Sequence, residues 1–279
     1  MPYLNANQTV VHYREDGDGV PVIAIHGSAS SSQQWESLTG YMSDRSRVIR
    51  PDLPGYGKTP ALKGPRSLAA IAATLVPLLE EMGEPVHLVG HSFGGAVALK
   101  LASLRPDLVR SLAVMEPAAF HLLEPNSPLL DAIMSVEKAM RRSLRHGEGD
   151  DAMRGFIDFW NGDGAWRRSS AGLRQKLALL ADQVIADFDA VMAESAGLAN
   201  YAAIRCPVLA LTGRQSPRVA QALTARLAGA MPSAKLASLP GAGHMAPLTD
   251  PHLVDPMIAA HVFARPVSAE RTGDAKLAA

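Results

Sequence analysis

The sequence predicts an α/β protein: a mostly parallel sheet with helices on both faces, interrupted once by a helical insertion. Three observations carry that expectation. Short apolar runs rich in Val, Ile and Leu alternate with longer helix-like stretches. The alternation lapses between about residues 118 and 200, where no strand-like run occurs. Glycine-bearing turns follow several of the apolar runs, at the edge where open α/β sheets bind ligands.

In chain order, TVVHYRED from residue 9 is expected to add an antiparallel edge strand. Buried strands are expected at 21–25, 47–50, 86–89, 111–115, 208–212 and 235–239, each short and bounded by Gly or Pro. Helices are expected at about 31–43, 67–82, 94–105, 218–230 and 250–264. Strand–helix–strand rhythm implies parallel pairing with crossover helices. The core is therefore assigned to 1–117 and 201–264. Residues 118–200 read as several helices separated by the turns HGEGDD and WNGDGAW. They form either a cap or extra helices with no role in access. Residues 265–279 lack periodicity and are expected to form a frayed tail.

Composition narrows the function. Hydrophobic residues make up 47% of the 279, enough for a large core. Lys plus Arg number 27 and Asp plus Glu 27, which argues against a nucleic-acid binder with its basic face. No apolar run is long enough to span a bilayer, and MPYLNANQTVVHYRED has no apolar signal segment. The expectation is a soluble, cytoplasmic protein acting on a small molecule. Cys206, the single cysteine, can form neither an internal disulfide nor a Cys-based metal site.

Four segments carry chemistry. GHSFGG, residues 90–95, follows a strand and precedes a helix, matching G-x-S-x-G with Ser92 at its centre. So sharp a turn exposes the Ser92 hydroxyl beside the free N–H groups of a helix start. In LPGAGHMAP, His244 follows a strand and sits among small residues that let its loop fold close to Ser92. IHGS, residues 25–28, ends a strand on the same edge. The backbone N–H groups of Ser28 and Phe93 are candidate donors to an oxyanion, while His26 is expected to be structural. DLPGYGKT, residues 52–59, forms a rigid turn in which Asp52 braces the loop.

Together these segments resemble the α/β-hydrolase superfamily across roughly residues 10–264. The resemblance implies an eight-stranded, mostly parallel sheet with a helical cap inserted after the sixth strand. It implies Ser92 as nucleophile, His244 as base, the Ser28 and Phe93 amides as oxyanion hole, and no metal or organic cofactor. Dehalogenases and epoxide hydrolases of this fold are disfavoured, because they carry aspartate where Ser92 stands.

One departure stands out. Most members carry an acid after the seventh strand as G-x-x-D, but LTGRQSP has Ser216 at that position. Some members carry their acid at the end of the sixth strand, where SLAVMEPAAF offers Glu116. Glu116 is therefore the expected third member. Asp250 is expected to cap the last helix, Glu194 is a further candidate, and a pair without an acid is also open. Phe120, His121, Phe156, Trp160 and Trp166, with Phe159 and Phe188, are candidates for an apolar pocket wall. The expected activity is hydrolysis of a small or medium apolar ester. Hydrolysis of a carbon–carbon bond of the meta-cleavage type, or of a lactone, uses the same triad. Perhydrolase activity is a side reaction of the fold, and a non-catalytic receptor for a hydrophobic ligand is the alternative of another class.

Overall fold

The computed structural model describes residues 2–6 and 9–264. Eight strands form one sheet: β1 Tyr3–Ala6, β2 Thr9–Asp16, β3 Val20–Ile25, β4 Ser46–Pro51, β5 Val86–His91, β6 Val109–Met115, β7 Val208–Gly213 and β8 Ala234–Leu239. Their spatial order is β1-β2-β4-β3-β5-β6-β7-β8. β1 and β2 run antiparallel; from β4 to β8 every pairing is parallel. TVVHYRED does pair antiparallel, with β4, but it is not the edge: β1 lies outside it, Tyr3 opposite His12. YLNA has only four residues, two of them outward-facing, so it leaves no periodic signal.

The helices are α1 Glu36–Met42, α2 Leu68–Glu80, α3 Phe93–Leu104, α4 Pro128–Arg145, α5 Gly149–Asn161, α6 Ala165–Arg168, α7 Ala171–Ala178, α8 Ala181–Met192, α9 Leu198–Ala202, α10 Arg218–Ala230, α11 Ala246–Thr249 and α12 Pro251–Val262. The stretch from 31 begins as a tight three-residue-per-turn helix, Ser32–Trp35, before α1. Residues alternate across the sheet. Ile23 and Ile25 pack on the α2 and α3 side, Val22 and Ala24 on the opposite side with Trp35, Leu38 and Ile258. Each such buried aliphatic side chain contributes roughly 1.5–3 kcal/mol relative to an exposed one.

Between β6 and β7 the chain builds α4 to α9. Ser127 caps α4 by accepting the Leu130 N–H, with Pro128 at the first helical position. The apolar faces of α4, α5 and α8 (Ile133, Met140, Met153, Trp160, Val184 and Phe188) join the same core cluster as α2 and α3. The insertion therefore has no separate core. Residues 265–279, expected to fray, lie outside the described residues. No described helix is long and apolar enough to cross a membrane.

Candidate active site

The strand ends assemble the site in a row. β5 passes into α3 through Ser92, whose φ of 51° and ψ of −119° are rare for a residue with a Cβ. Such a backbone costs about 1–3 kcal/mol and persists only where its surroundings hold it. Here Ser92 N–H donates to the Met115 carbonyl at 3.0 Å, and the Ala118 N–H donates to the Ser92 carbonyl at 3.0 Å. The glycines of the motif are sterically required. A Cβ on Gly90 would lie 2.5 Å from the Gly94 carbonyl oxygen, and one on Gly94 would lie 2.3 Å from the His26 carbonyl oxygen. Phe93 is the first residue of α3, so its N–H has no partner within the helix.

One strand over, Met115 pairs with Leu211, which sets Glu116 beside Thr212. Glu116 also has a positive φ, 46°, and its carboxylate is held from two directions. Oε1 accepts from the Thr212 hydroxyl at 2.7 Å and the Gly213 N–H at 2.8 Å, and Oε2 meets His244 Nδ1 at 2.7 Å. Glu116 and His244 are both buried. Burial alone would raise the Glu116 pKa; the hydrogen bonds from His244 and Thr212 outweigh it and hold the carboxyl below its usual range. Ser216 adds to this from beside the carboxylate, although its Oγ completes no hydrogen bond. An ionised Glu116 accepts only, so His244 Nδ1 carries the proton and Nε2 is left as a proton acceptor. The hydroxyl that replaces the G-x-x-D aspartate thus borders a carboxylate arriving from the neighbouring strand. Glu194 is engaged elsewhere, with Lys100 at 2.9 Å. Asp250 stands at the start of α12, yet its carboxylate accepts the Thr249 hydroxyl at 2.7 Å and makes no cap bond.

Two networks that were not read from the sequence support this row. The first joins three loops. The Gly27 N–H donates to Gln34 Oε1 at 3.0 Å, Gln34 Nε2 donates to His91 Nδ1 at 3.2 Å, and His91 Nε2–H donates to the His244 carbonyl at 2.8 Å. Burial, with His244 beside it, pushes the His91 pKa down to about 3, so the ring is neutral. His26 is likewise structural. Its Nδ1–H donates to the Gly27 carbonyl at 2.7 Å, Nε2 accepts the Leu53 N–H at 3.0 Å, and burial lowers its pKa to about 4. Asp52 braces its loop, accepting the N–H groups of Ser32 at 2.7 Å and Lys58 at 3.0 Å.

The second network ties the insertion to the core. Asp187 of α8 accepts from the Ser28 and Tyr56 hydroxyls, each at 2.6 Å, and from the Arg66 guanidinium at 2.5 and 3.0 Å. Only 2% of Asp187 is exposed. Burial pushes its pKa up, and Arg66, Ser28 and Tyr56 pull it back only in part. Ser28 therefore has its side chain anchored to the insertion while its backbone belongs to the β3 turn.

Two cavities meet at Ser92. One of about 690 Å³ is lined by Ser28, Ser92, His244, Phe156 and Trp160, with Arg168, Gln215 and Asp250 among its polar groups. The other, about 20 Å³, is lined by Ser28, Ser92, Phe93, Phe120, Phe156 and Phe188. Trp160 stacks on the His244 ring with centroids 4.1 Å apart. His121 and Trp166 line neither cavity. His121 Nε2 pairs with the Tyr201 hydroxyl at 3.0 Å, and Trp166 is buried with its backbone N–H held by Asp158. Phe159 packs edge-on against Trp160, behind the lining.

Comparisons with known proteins agree with this architecture. The chain is 24% identical over 258 residues to (E)-2-((N-methylformamido)methylene)succinate hydrolase of Acinetobacter baylyi, covering 90% of this chain and 93% of that protein. It is 36% identical over 117 residues to the pimeloyl-[acyl-carrier protein] methyl ester esterase of Methylococcus capsulatus, 42% of this chain and 44% of that one. The enol-lactonase of Burkholderia xenovorans LB400 superposes with a TM-score of 0.78 at 20% identity, over 94% of this chain and all of that structure. The sequence model of the alpha/beta hydrolase family matches residues 22–255, from β3 into α12, and the chain belongs to that family of hydrolases.

Proposed function

We propose that the protein is a serine hydrolase that cleaves carboxylic esters through an acyl-enzyme. The observation that carries this is the buried His244–Glu116 contact at 2.7 Å, on the wall of the cavity that Ser92 also lines. Ser92 Oγ attacks the ester carbonyl as His244 Nε2 takes its proton. The oxyanion is held by the Ser28 and Phe93 amides, and Glu116 stabilises the imidazolium. His244 returns the proton to the leaving alcohol. Water then repeats the path and frees the acid. Residues 118–200 act as a cap that walls the cavity with Phe156 and Trp160. The methyl ester esterase among the relatives supports an ester as the bond cleaved.

The test is turnover of p-nitrophenyl acetate by wild type and Ser92→Ala, with fluorophosphonate labelling of both. Wild type is expected to be active and labelled. Ser92→Ala is expected to be unlabelled and to lose several orders of magnitude in kcat. Equal activity in both would refute the role of Ser92. Saturable binding of a hydrophobic ligand, with neither turnover nor labelling, would mark a receptor.

A further inference from the structure

The two cavities at Ser92 are unequal, and they do not share the same chemistry. His244 lines the 690 Å³ cavity and not the 20 Å³ one. Phe93 lines the small cavity and not the large one, while Ser28 borders both. The tetrahedral centre formed at Ser92 has three further substituents to place. The oxyanion belongs with the amides of Ser28 and Phe93. The leaving oxygen must face His244, because the imidazolium has to protonate it. That directs the alcohol portion into the large cavity, and the acyl substituent takes the remaining side.

That side is lined largely by aromatic rings. Phe120 stacks on Phe188 at 5.7 Å and on Trp160 at 6.2 Å, and Phe156 meets Phe188 edge-on at 6.2 Å. A volume of 20 Å³ holds about one water-sized or methyl-sized group. Phe120 and Phe188 are buried in the core cluster, so they cannot turn aside for a longer chain without disturbing it.

Resting on the hydrolase assignment above, we infer that the protein is selective for short acyl groups on bulky alcohols. Its substrates are acetate-type esters whose alcohol fills the large cavity. In the acylation step the Ser92 Oγ–acyl carbon bond forms and the acyl carbon–alkoxy oxygen bond breaks. The Ser92 proton passes through His244 Nε2 to the alkoxy oxygen. Water then adds its oxygen to the acyl carbon, and acetate leaves with Ser92 reprotonated. The lining of the large cavity includes Arg168, Gln215 and Asp250 beside its apolar residues, so it offers polar as well as apolar contacts to the alcohol.

The experiment is two substrate series on the intact protein. One varies the acyl chain at constant alcohol: p-nitrophenyl acetate, butyrate and octanoate. The other varies the alcohol at constant acyl: ethyl, phenethyl and naphthylethyl acetate. The expected result is that kcat/KM falls about tenfold or more for each lengthening of the acyl chain and rises along the alcohol series. Phe188→Ala, which opens the small cavity, is expected to move the acyl optimum from acetate to butyrate. If that variant does not fold, the wild-type series alone decide. An optimum at octanoate, or a fall along the alcohol series, overturns the inference and leaves the hydrolase assignment intact. Fluorophosphonate labelling without turnover of any acetate also overturns the inference alone. No turnover and no labelling overturn both.

Discussion

The strand-end row and the helical insertion are held together by different means. In the row, several polar side chains near Ser92 are fixed by hydrogen bonds to neighbouring backbone. Glu116 takes the Gly213 N–H, Gln34 takes the Gly27 N–H, and His91 holds the His244 carbonyl. The insertion meets the core domain through a shared apolar core, a buried ionic cluster at Asp187 and the Lys100–Glu194 ion pair. Backbone bonds set atoms to within tenths of an ångström, which proton transfer requires. Apolar packing sets volumes, which selectivity requires. Under the proposed function, rate belongs to the row and substrate shape to the insertion, and four measurements can break or sharpen that division.

The largest effect is expected in the row. Glu116→Gln keeps the shape but leaves His244 without its ionised partner, and kcat should fall by about 10³–10⁴-fold, as for a triad acid. A loss below tenfold would remove Glu116 from the triad.

Asp187→Ala tests the junction. Removing one partner of a buried ion pair strands Arg66 and should lower stability by about 3–5 kcal/mol in urea unfolding. Unchanged stability would mean that apolar contact alone seats the insertion.

Acid should weaken the row next. His26 and His91 are neutral when folded, with pKa values lowered to about 4 and about 3, against about 6.5 in the unfolded chain. Their contribution is complete above pH 6.5 and is lost as pH falls toward 4 and 3, because the unfolded state then binds more protons. Between pH 7 and 5 each should remove about 2 kcal/mol. The raised pKa of Asp187 acts with the opposite sign, favouring the folded state as it protonates. A stability that rises toward pH 5 would show that the histidines are outweighed.

The smallest effect belongs to the stacking contact between the insertion and His244 of the row. Trp160→Phe retains a ring against His244 but less of the stack, and kcat/KM should change by less than about tenfold. A larger drop would place part of the base's positioning in the insertion.

Most of the sheet was legible because buried parallel strands are short unbroken apolar runs, although β8, expected to be buried, is an edge strand with only Leu239 buried; the row was legible because it lies where those runs end. Glu116 could be picked out from its place after β6, even with Ser216 at the usual position, and its carboxylate meets His244 Nδ1 at 2.7 Å. Asp187 could not. On an amphipathic helix a lone carboxylate reads as part of the solvent face, and only the fold turns it toward Arg66 and Tyr56. His91 was passed over as the variable position of its motif. His121 and Trp166 were read as pocket wall because aromatic residues in an insertion share one signature whether they line a cavity or fill a core.

The bonds from Gly27 to His244 all run in one sense. Each group donates onward: amide N–H to Gln34 oxygen, Gln34 nitrogen to imidazole, imidazole N–H to carbonyl. A glutamine amide has one oxygen and one nitrogen, so turning it over would set donor against donor at Gly27 and acceptor against acceptor at His91. The sense cannot be reversed at one link. Gln34→Glu leaves two acceptors at that link, and the series closes again only if a further proton is bound there, on the carboxyl or on His91. Burial keeps His91, at the end of β5, neutral, and the Gln34 nitrogen faces the one ring atom left to accept, so three loops distant in sequence share one arrangement of protons.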